Sequence, residues 1–490
     1  MNTFNKKSLC VALAATGMLG AAGVAQAVNV SADGLGNVLI YPYYTVRNDS
    51  NGNAYNTLMS VVNTTASMKA VKVRFREGKN SAEVLDFNVF LSPFDVWTAS
   101  ITPGPAVAPA QGAGQITTND KSCTIPSFYN AAGVAQQVSF RTLQLEASDN
   151  GVARTSEGYF EVFEMATYSP VSVVGINAAH TTAGVPKDCA LVTDTSALLG
   201  QGPPSGGLFG GVTILSPAGG GAFSQPATAL ANFTTTNAYF DTGSTNPTYA
   251  NADPVSNTIF GSNLYQTTWP VTGIGRTNAV TAVLMANAIT NEYVLDAGSR
   301  SATSWIATFP TKFSYVNPGV IAPFTSTYVT KVGACENFYG VVFNREEGSP
   351  QVVTSDDFSP RPGAATGPVL CWEAQSIGFG TSNVFGSANH NVIATPFVNG
   401  WATLGFNSLT TPNEHALAAP AAATTMIDLR GLLAPLAGQS AIYFGLPVIG
   451  FAAETFQNDA IVVGGKTYLS TFGVSFPHHA TKRITPPIVP

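Results

Sequence analysis

The sequence is poor in charged residues, which make up 10% of its 490 residues; an ordinary soluble domain has about 25%. Hydrophobic residues reach 45% and aromatic residues 10%. Disordered segments combine few aromatic residues with many charges, and coiled coils are dominated by Ala, Glu, Lys, Leu and Arg. The composition excludes both classes and indicates a folded chain with a large apolar core.

Basic residues and histidines are also few. The 22 Lys and Arg residues form no basic tract and stand against 28 Asp and Glu residues. Because nucleic acids are bound through cations that neutralise phosphates, we expect no nucleic-acid partner. Of the five histidines, His478 and His479 are adjacent just after a predicted strand, where neighbouring side chains point apart. We therefore interpret them as solvated tail residues and not as a metal site.

The motifs of several common catalytic and metal sites are missing. The sequence has no G-x-S-x-G nucleophile elbow and no Walker-A loop, and Gly273-Ile274-Gly275 lacks the third glycine of a dinucleotide fingerprint. Asp49–Asn53 alternates oxygen ligands, but an EF-hand would need Gly and Glu where Ala54 and Ser60 stand. We interpret this segment as a polar turn. The sequence thus predicts no cofactor, no metal and no catalytic residue, and it favours a protein that is not an enzyme.

A glycosidase would need two carboxylates that address one sugar. Glu161 and Glu164 are the nearest such pair, but residues three apart on a strand lie on opposite faces. The five tryptophans could stack on sugar rings, although core packing is the default expectation for Trp97, Trp269, Trp305, Trp372 and Trp401.

The N-terminus has the features of a secretory signal peptide. Lys6 and Lys7 precede an apolar run, and Ala25-Gln26-Ala27 fits the small-residue cleavage rule. We predict a signal peptide over residues 1–27 and a mature protein that begins near Val28. Cleavage would leave 20 basic against 28 acidic residues, a net charge of −8.

The mature chain would hold four cysteines, namely Cys123, Cys189, Cys335 and Cys371. An even count in an exported chain predicts two disulfides. Three pairings are possible, and we favour Cys123 with Cys189 and Cys335 with Cys371, because cysteines in the same half are expected to share a sheet. A four-cysteine metal site would need close C-x-x-C pairs, which the sequence lacks.

The clearest local pattern is period-two alternation. In residues 71–76 the apolar side chains fall on one face, and Lys72, Arg74 and Arg76 fall on the other. With residues 85–91, which also alternate, this predicts a hairpin that has one wet face. Val38–Val46 is almost continuously apolar, which predicts a strand buried on both sides.

Strand-like segments recur along the chain, whereas helical signals are restricted to 279–288 and 426–436. Gly, Pro, Ser and Thr dominate residues 200–259, which we interpret as a loop or linker-like insert between β-rich portions at 28–199 and 260–490. The predicted fold is mainly β, an antiparallel β-sandwich with long Gly/Pro/Thr-rich loops and few short helices.

Three stretches resemble a group of exported proteins of Gram-negative bacteria. They are DGLGN followed by LIYPYY (33–44), LDFN through SP to DVW (85–97), and GLPVIGF (445–451). The resemblance spans most of the mature chain; it implies a secreted or cell-surface protein and no particular activity. In being acidic, cysteine-poor and rich in Thr, Asn, Gly and Ala, the chain is also similar to surface-layer subunits.

These observations lead to a first hypothesis, an exported structural protein of the cell surface. It would be a coat or surface-layer-like subunit that assembles with its own copies or with envelope components. Low charge weakens repulsion between copies, and unpaired strand edges promote association. We expect a cell-surface or extracellular location, with the periplasm as the alternative.

Two other functions stay open. One is a secreted module that binds or hydrolyses a polysaccharide through long loops on a rigid β scaffold. The other is an outer-membrane β-barrel, which alternation and low charge favour and long Gly/Thr/Asn tracts disfavour. The sequence predicts no transmembrane helix in the mature chain.

Overall fold

The computed structural model describes residues 26–105, 111–317, 319–348, 350–353, 369–407, 411–458, 461–468 and 471–485. Strands account for 46% and helices for 8%, which confirms a mainly β fold with few short helices. Among the described strands, pairing is antiparallel except between Ala374–Phe379 and His390–Ile393. The predicted signal peptide lies outside the described residues apart from Gln26 and Ala27.

The first half of the chain contributes fourteen of the described strands. They are β1 (Asn29–Val30), β2 (Val38–Thr45), β3 (Asn56–Asn63), β4 (Met68–Glu77), β5 (Glu83–Leu91), β6 (Val96–Pro103), β7 (Gln111–Thr117), β8 (Thr124–Ile125), β9 (Val138–Arg141), β10 (Glu157–Tyr168), β11 (Gln201–Gly202), β12 (Leu208–Leu215), β13 (Ala222–Pro226) and β14 (Thr228–Ala231).

These strands form two facing sheets, which we call the first sandwich. The larger sheet has the order β1-β14-β2-β10-β4-β5-β8, with β11 paired to β10, and the smaller has the order β13-β12-β3-β6-β7-β9. Aromatic side chains fill the space between them: Tyr41 stacks on Phe160 with ring centroids 4.1 Å apart, and Phe160 stacks on Phe75 at 4.8 Å. The arrangement confirms the predicted antiparallel β-sandwich architecture.

The insert at 200–259 is not a linker, which corrects the sequence-based interpretation. Strand β12 pairs with β3 and β13, and β14 lies between β1 and β2. In β12, Leu208, Val212 and Ile214 are buried in the core of the first sandwich. The apolar alternation is interrupted by the glycines at 210–211, and this interruption hid the strand in the sequence.

The rest of the chain adds further strands and the longest described helix, Gly275–Leu284. The strands are β15 (Val255–Phe260), β16 (Asn263–Thr268), β17 (Met285–Ala286), β18 (Ala288–Val294), β19 (Ala302–Thr308), β20 (Glu336–Asn337), β21 (Tyr339–Asn344), β22 (Gln351–Val353), β23 (Val369–Leu370), β24 (Ala374–Phe379), β25 (His390–Ile393), β26 (Asn399–Gly405), β27 (Ala416–Ala418), β28 (Thr424–Asp428), β29 (Leu436–Gln439), β30 (Ile442–Phe444), β31 (Leu446–Pro447), β32 (Ile449–Gln457), β33 (Ile461–Val463), β34 (Lys466–Tyr468), β35 (Thr471–Pro477), β36 (His479–Thr481) and β37 (Ile484–Thr485). The described helices are α1 (Val173–Asn177), α2 (Asp194–Ala197), α3 (Gly275–Leu284) and α4 (Phe313–Val316), with 3-10 turns at Val152–Ser156, Cys189–Leu191 and Tyr249–Asn251.

Two five-stranded sheets form a second sandwich, with the orders β22-β21-β26-β18-β36 and β25-β24-β19-β32-β35. Tyr293, Trp305 and Phe379 are buried between them, and the rings of Tyr293 and Phe379 stack at 4.7 Å. The smaller sheets are β15-β16-β28-β29, β27-β30-β37, β17-β31, β20-β23 and β33-β34.

The helical predictions are half right. The segment 279–288 overlaps α3, which ends at Leu284 before β17 begins. The segment 426–436 is not helical, because β28 pairs with β16 on one side and with β29 on the other. Backbone hydrogen bonds between strands override a weak local helical signal here.

Strand β2 confirms the prediction of burial on both sides, since all eight of its residues are buried. The register between β2 and β10 shifts between Gly158 and Phe160, opposite Pro42. Proline cannot donate a hydrogen bond to the neighbouring strand, so a bulge at this position keeps it inside the sheet.

The wet face predicted for the β4–β5 hairpin is wrong. Lys72 and Arg74 are fully buried. The Lys72 ammonium lies 2.7 Å from Asp86 and donates to the carbonyl of Asp241, and Arg74 donates to the carbonyl of Pro247. The loop that holds these carbonyls covers the face. Alternation shows which side chains share a face and does not show whether another segment covers that face.

The two sandwiches share part of their core through Phe385, which precedes β25. Its ring lies 5.0 Å from Phe223 and 5.4 Å from Tyr43 in the first sandwich, and 6.1 Å from Phe451 in β32. In the same region the buried Glu157 carboxylate accepts from the Tyr43 hydroxyl at 2.6 Å. The two β-rich halves are therefore continuous in their packing.

Both disulfides form with the predicted pairing. Cys123 bonds to Cys189 and joins the segment before β8 to the 3-10 turn at Cys189–Leu191. Cys335 bonds to Cys371 next to the paired strands β20 and β23. Two disulfides are typical of a protein in an oxidising, extracytoplasmic compartment.

The buried ion pair of Arg76 and Glu161 provides a stability test. Their side chains are 2.9 Å apart and 15% and 1% exposed. We expect Arg76→Met to lower the free energy of unfolding by about 3–5 kcal/mol, because it leaves a buried carboxylate without its cation. The double variant R76M/E161M should lie within about 1 kcal/mol of the wild type, since both charges are removed. Urea unfolding measures both; a double variant no more stable than R76M would contradict the explanation.

Candidate functional site

The outer face of the smaller sheet of the first sandwich carries no charged side chain on four adjacent strands. Inward and outward residues alternate along β3, β6, β12 and β13, all of which are fully described. The outward residues are Asn56, Leu58, Ser60, Val62, Val96, Thr98, Ser100, Thr102, Phe209, Gly211, Thr213, Leu215, Ala222, Ser224 and Pro226. We call this set the uncharged face.

An open groove of about 790 Å³ crosses the uncharged face. Leu58 and Phe209 contribute exposed apolar surface and are 41% and 43% exposed, while Gly211 has no side chain to fill the floor. The Thr213 and Ser224 hydroxyls hydrogen bond to each other at 2.8 Å. The groove is thus lined by hydroxyl, amide and apolar groups with no ionisable side chain among them.

The strand edges of the first sandwich are short or covered. Ser475 of β35 donates to the carbonyl of Ser224 at 2.9 Å, and a Cβ at Gly473 would lie 2.9 Å from the backbone nitrogen of Ala222. Glycine at 473 is what allows β35 to approach the β13 edge so closely. The other ends of the two sheets are β9, with four residues, and β1 and β8, with two each. Short or covered edges are poor templates for strand addition.

A second opening of about 640 Å³ lies between the two sandwiches, and we call it the polar cleft. The first sandwich contributes the turn at 49–51 and the glycines at 219–220. The second sandwich contributes residues 300–302 and 380–384 together with Thr455, Gln457 and Thr471. Most of the polar groups around it are neutral hydroxyls and amides.

Asp49–Asn53 forms the polar turn that the sequence predicts. One oxygen of the Asp49 carboxylate accepts from the backbone amides of Asn51 and Asn53, both at 2.8 Å. The carboxylate therefore fixes the turn at the rim of the polar cleft. In the described part of the chain, no group of three or more His, Cys, Asp or Glu residues is placed to hold a metal ion.

Glu161 and Glu164 do not act on a common ligand. Glu161 lies 2.9 Å from Arg76, whereas Glu164 lies 2.5 Å from the buried ammonium of Lys69. Each carboxylate is held by its own cation. No Glu lines the groove or the polar cleft, and Asp49 is the one acidic residue that lines either opening in the described structure.

The interpretation of His478 and His479 as solvated tail residues is wrong for the first and right for the second. His478 is half-buried against the Trp305 ring, and its Nε2 lies 3.0 Å from the Ile306 carbonyl. Burial lowers the pKa of His478 to about 4, so it is neutral at pH 7. His479 is exposed in β36. Neighbouring strands cover one side of this tail segment, which its sequence does not reveal.

Core packing is the role of most tryptophans, as expected. Trp97, Trp269 and Trp305 are buried, whereas Trp401 is 43% exposed. Trp401 stacks on Phe343 of the neighbouring strand with ring centroids 3.9 Å apart, so this partner already covers part of its ring system.

None of the helices in the described ranges has the length and apolar character that a membrane crossing requires.

The uncharged face could have been found in the sequence, because β3 and β6 alternate with no charge on their polar faces. The polar cleft could not, because its lining comes from several segments far apart in the chain.

Glu454 in β32 makes stability depend on pH. Burial, and next the nearby Glu292, raises the pKa of Glu454 from its ordinary 4.5 to about 7. The folded protein therefore retains a proton that the unfolded chain releases, so stability falls as pH rises from about 4.5 to 7. We expect Glu454→Gln to remove the part of this fall that Glu454 contributes and to stabilise the protein at pH 8 by on the order of 2 kcal/mol. The part due to Glu373 remains, because burial raises the pKa of that carboxyl to about 8.

Chemical denaturation at pH 4.5, 6 and 8 measures this effect. Glu346→Gln serves as the control, because the Glu346 side chain is 58% exposed. Equal pH profiles for the wild type and E454Q would contradict the assignment.

No protein-family model matches the chain, and no match is found among curated proteins.

Proposed function

We propose that the chain is an exported structural protein of the cell surface whose copies associate laterally through the uncharged face. The observation that carries this proposal is the absence of charge on β3, β6, β12 and β13 in a chain with a net charge of −8 after cleavage. Acidic copies repel one another at most orientations. The uncharged face is a place where two copies approach without repulsion and without desolvating ions.

The side chains of this face suit contact with a second copy. The cores of protein interfaces are depleted in charged residues, and homodimer interfaces are more apolar than the remaining surface. Leu58, Val96 and Phe209 provide apolar area, and the surrounding hydroxyls can both donate and accept hydrogen bonds.

The size of the face indicates weak individual contacts. Four strands of up to eight residues cover roughly 19 by 26 Å, or about 500 Å². A stable interface buries about 800 Å² on each partner. A contact through this face alone would therefore be weak, and a coat or surface layer would also use other contacts between copies, since linked weak contacts reinforce one another.

The N-terminal signal pattern, the two disulfides and the resemblance to exported Gram-negative proteins support export to the cell surface. Neither opening contains the two carboxylates that a glycoside hydrolase needs, so a structural role is favoured over a hydrolytic one.

A charge placed on the uncharged face tests the proposal. Val96→Asp should abolish self-association, because each contact would then bury or oppose a carboxylate. Val171→Asp is the matched control, since Val171 is 83% exposed and lies outside the face. Sedimentation velocity at several concentrations should show association of the wild type and V171D and a monomer for V96D, and electron microscopy should show ordered arrays for the first two alone.

Urea unfolding of the three proteins checks that Val96→Asp preserves the fold. A wild-type protein that stays monomeric at high concentration and forms no arrays would overturn the proposal. Association that V96D retains would overturn the assignment to this face.

A further inference from the structure

We propose that the polar cleft between the two sandwiches binds an uncharged sugar unit of a glycan. This site is separate from the uncharged face and from self-association. Its volume of about 640 Å³ falls within the roughly 300–1,000 Å³ typical of small-molecule sites, which often lie at the junction of two structural units.

The chemistry of the lining selects a neutral, hydroxyl-rich ligand. Nine neutral polar residues line the polar cleft, namely Ser50, Asn51, Ser301, Thr381, Ser382, Asn383, Thr455, Gln457 and Thr471. The charged residues there are Asp49 and Arg300, one of each sign. Because these two charges have opposite signs, the lining has no net charge that would attract an anion or a cation, and a purely apolar ligand would bury the hydroxyls and amides without partners.

Several polar groups of the cleft are held rigid by their own chain. The Asn383 side chain bonds to both the amide and the carbonyl of Ser387, and Ser382 accepts from the backbone of Thr303. With the fixed turn at Asp49, these bonds set the shape of the cleft. A preformed site loses little conformational entropy when a ligand binds.

One hydroxyl in the lining lacks a partner. The Thr471 Oγ1 atom is buried and has no hydrogen-bond partner within the described part of the chain. An unsatisfied buried hydroxyl costs about 1–3 kcal/mol. Because the Thr471 residue is partly exposed, its side chain can recover this cost by rotating Oγ1 toward a ligand hydroxyl, which both donates and accepts. Leu295, Ala302 and Val384 add apolar surface for the C–H groups of a sugar ring.

Saturation-transfer NMR with four trisaccharides tests the site. The uncharged probes are maltotriose, cellotriose and chitotriose, and trigalacturonate is the charged comparison. We expect signal from at least one uncharged probe and none from trigalacturonate. Measurements on V96D as well as the wild type separate sugar binding from self-association.

Two variants locate the binding. Thr381→Trp fills the polar cleft from an exposed position and should weaken affinity at least tenfold, and Gln457→Ala should weaken it about threefold to tenfold by removing one amide. Thr327→Trp is the matched control, because Thr327 is exposed and does not line the cleft.

Thermal unfolding confirms that each variant is folded. No signal from any uncharged trisaccharide, a preference for trigalacturonate, or equal affinities for T381W and T327W would overturn the proposal. A protein that does not self-associate but binds an uncharged trisaccharide would be consistent with the proposal for the polar cleft.

Discussion

The fold depends on a sheet that is buried on both faces. Strands β2, β10 and β4 have the first sandwich core on one side. On the other side, residues of β2 and β10 belong to a hydrophobic cluster that includes α3 and β16, and β4 bonds to the loop around residues 241–247. A charged side chain on such a strand cannot reach water and must find a partner within the protein. The ion pairs of β4 that result are Lys69 with Glu164, Lys72 with Asp86, Arg74 with Glu83, Arg76 with Glu161 and Glu77 with Arg154.

This constraint also shapes the surface. At least 13 of the 50 Asp, Glu, Lys and Arg residues are buried, so a quarter of a small complement of charge is used inside the molecule. Few charged residues remain for the outer surface, and large areas of strand surface carry hydroxyl or apolar side chains. The uncharged face is therefore a consequence of two facts: the sequence has few charged residues, and about a quarter of them are buried.

The sequence predicts local pattern much better than burial. Residues 71–76 and the strand β3 both alternate, and in both cases the alternation is correct in the structure. Yet the face with Lys72 and Arg74 is buried, whereas the face with Leu58 is open to solvent. Hydropathy alone would predict that the face with Lys72 and Arg74 is open to solvent and that the face with Leu58 is buried. The cover over the charged face comes from a loop that has no periodicity, so its position could not be deduced from the pattern.

The same difference between local pattern and burial explains how much of the groove and of the polar cleft can be predicted from the sequence. The groove lies on adjacent strands. Their outward residues can be identified from period-two alternation if β12 is recognised as a strand. The glycines at 210–211 hid that strand by removing the apolar contrast that marks it. The disulfide pairing was accessible because each pair lies within one half of the chain. The polar cleft depends on the association of two sandwiches through Phe385, which no local pattern encodes.

The position of β35 favours association through a face over association through an edge. By covering the β13 edge, β35 removes the longest route by which a second chain could extend this sheet, and the remaining ends have four residues or fewer. Stacking through the uncharged face is not affected by that cover. Strands β3, β12 and β13 carry the face along their length, while the turns at their ends form one wall of the polar cleft. Under the two proposals, one rigid set of strands would contact a neighbouring copy with its face and a glycan at its ends, so that neither contact would displace the other.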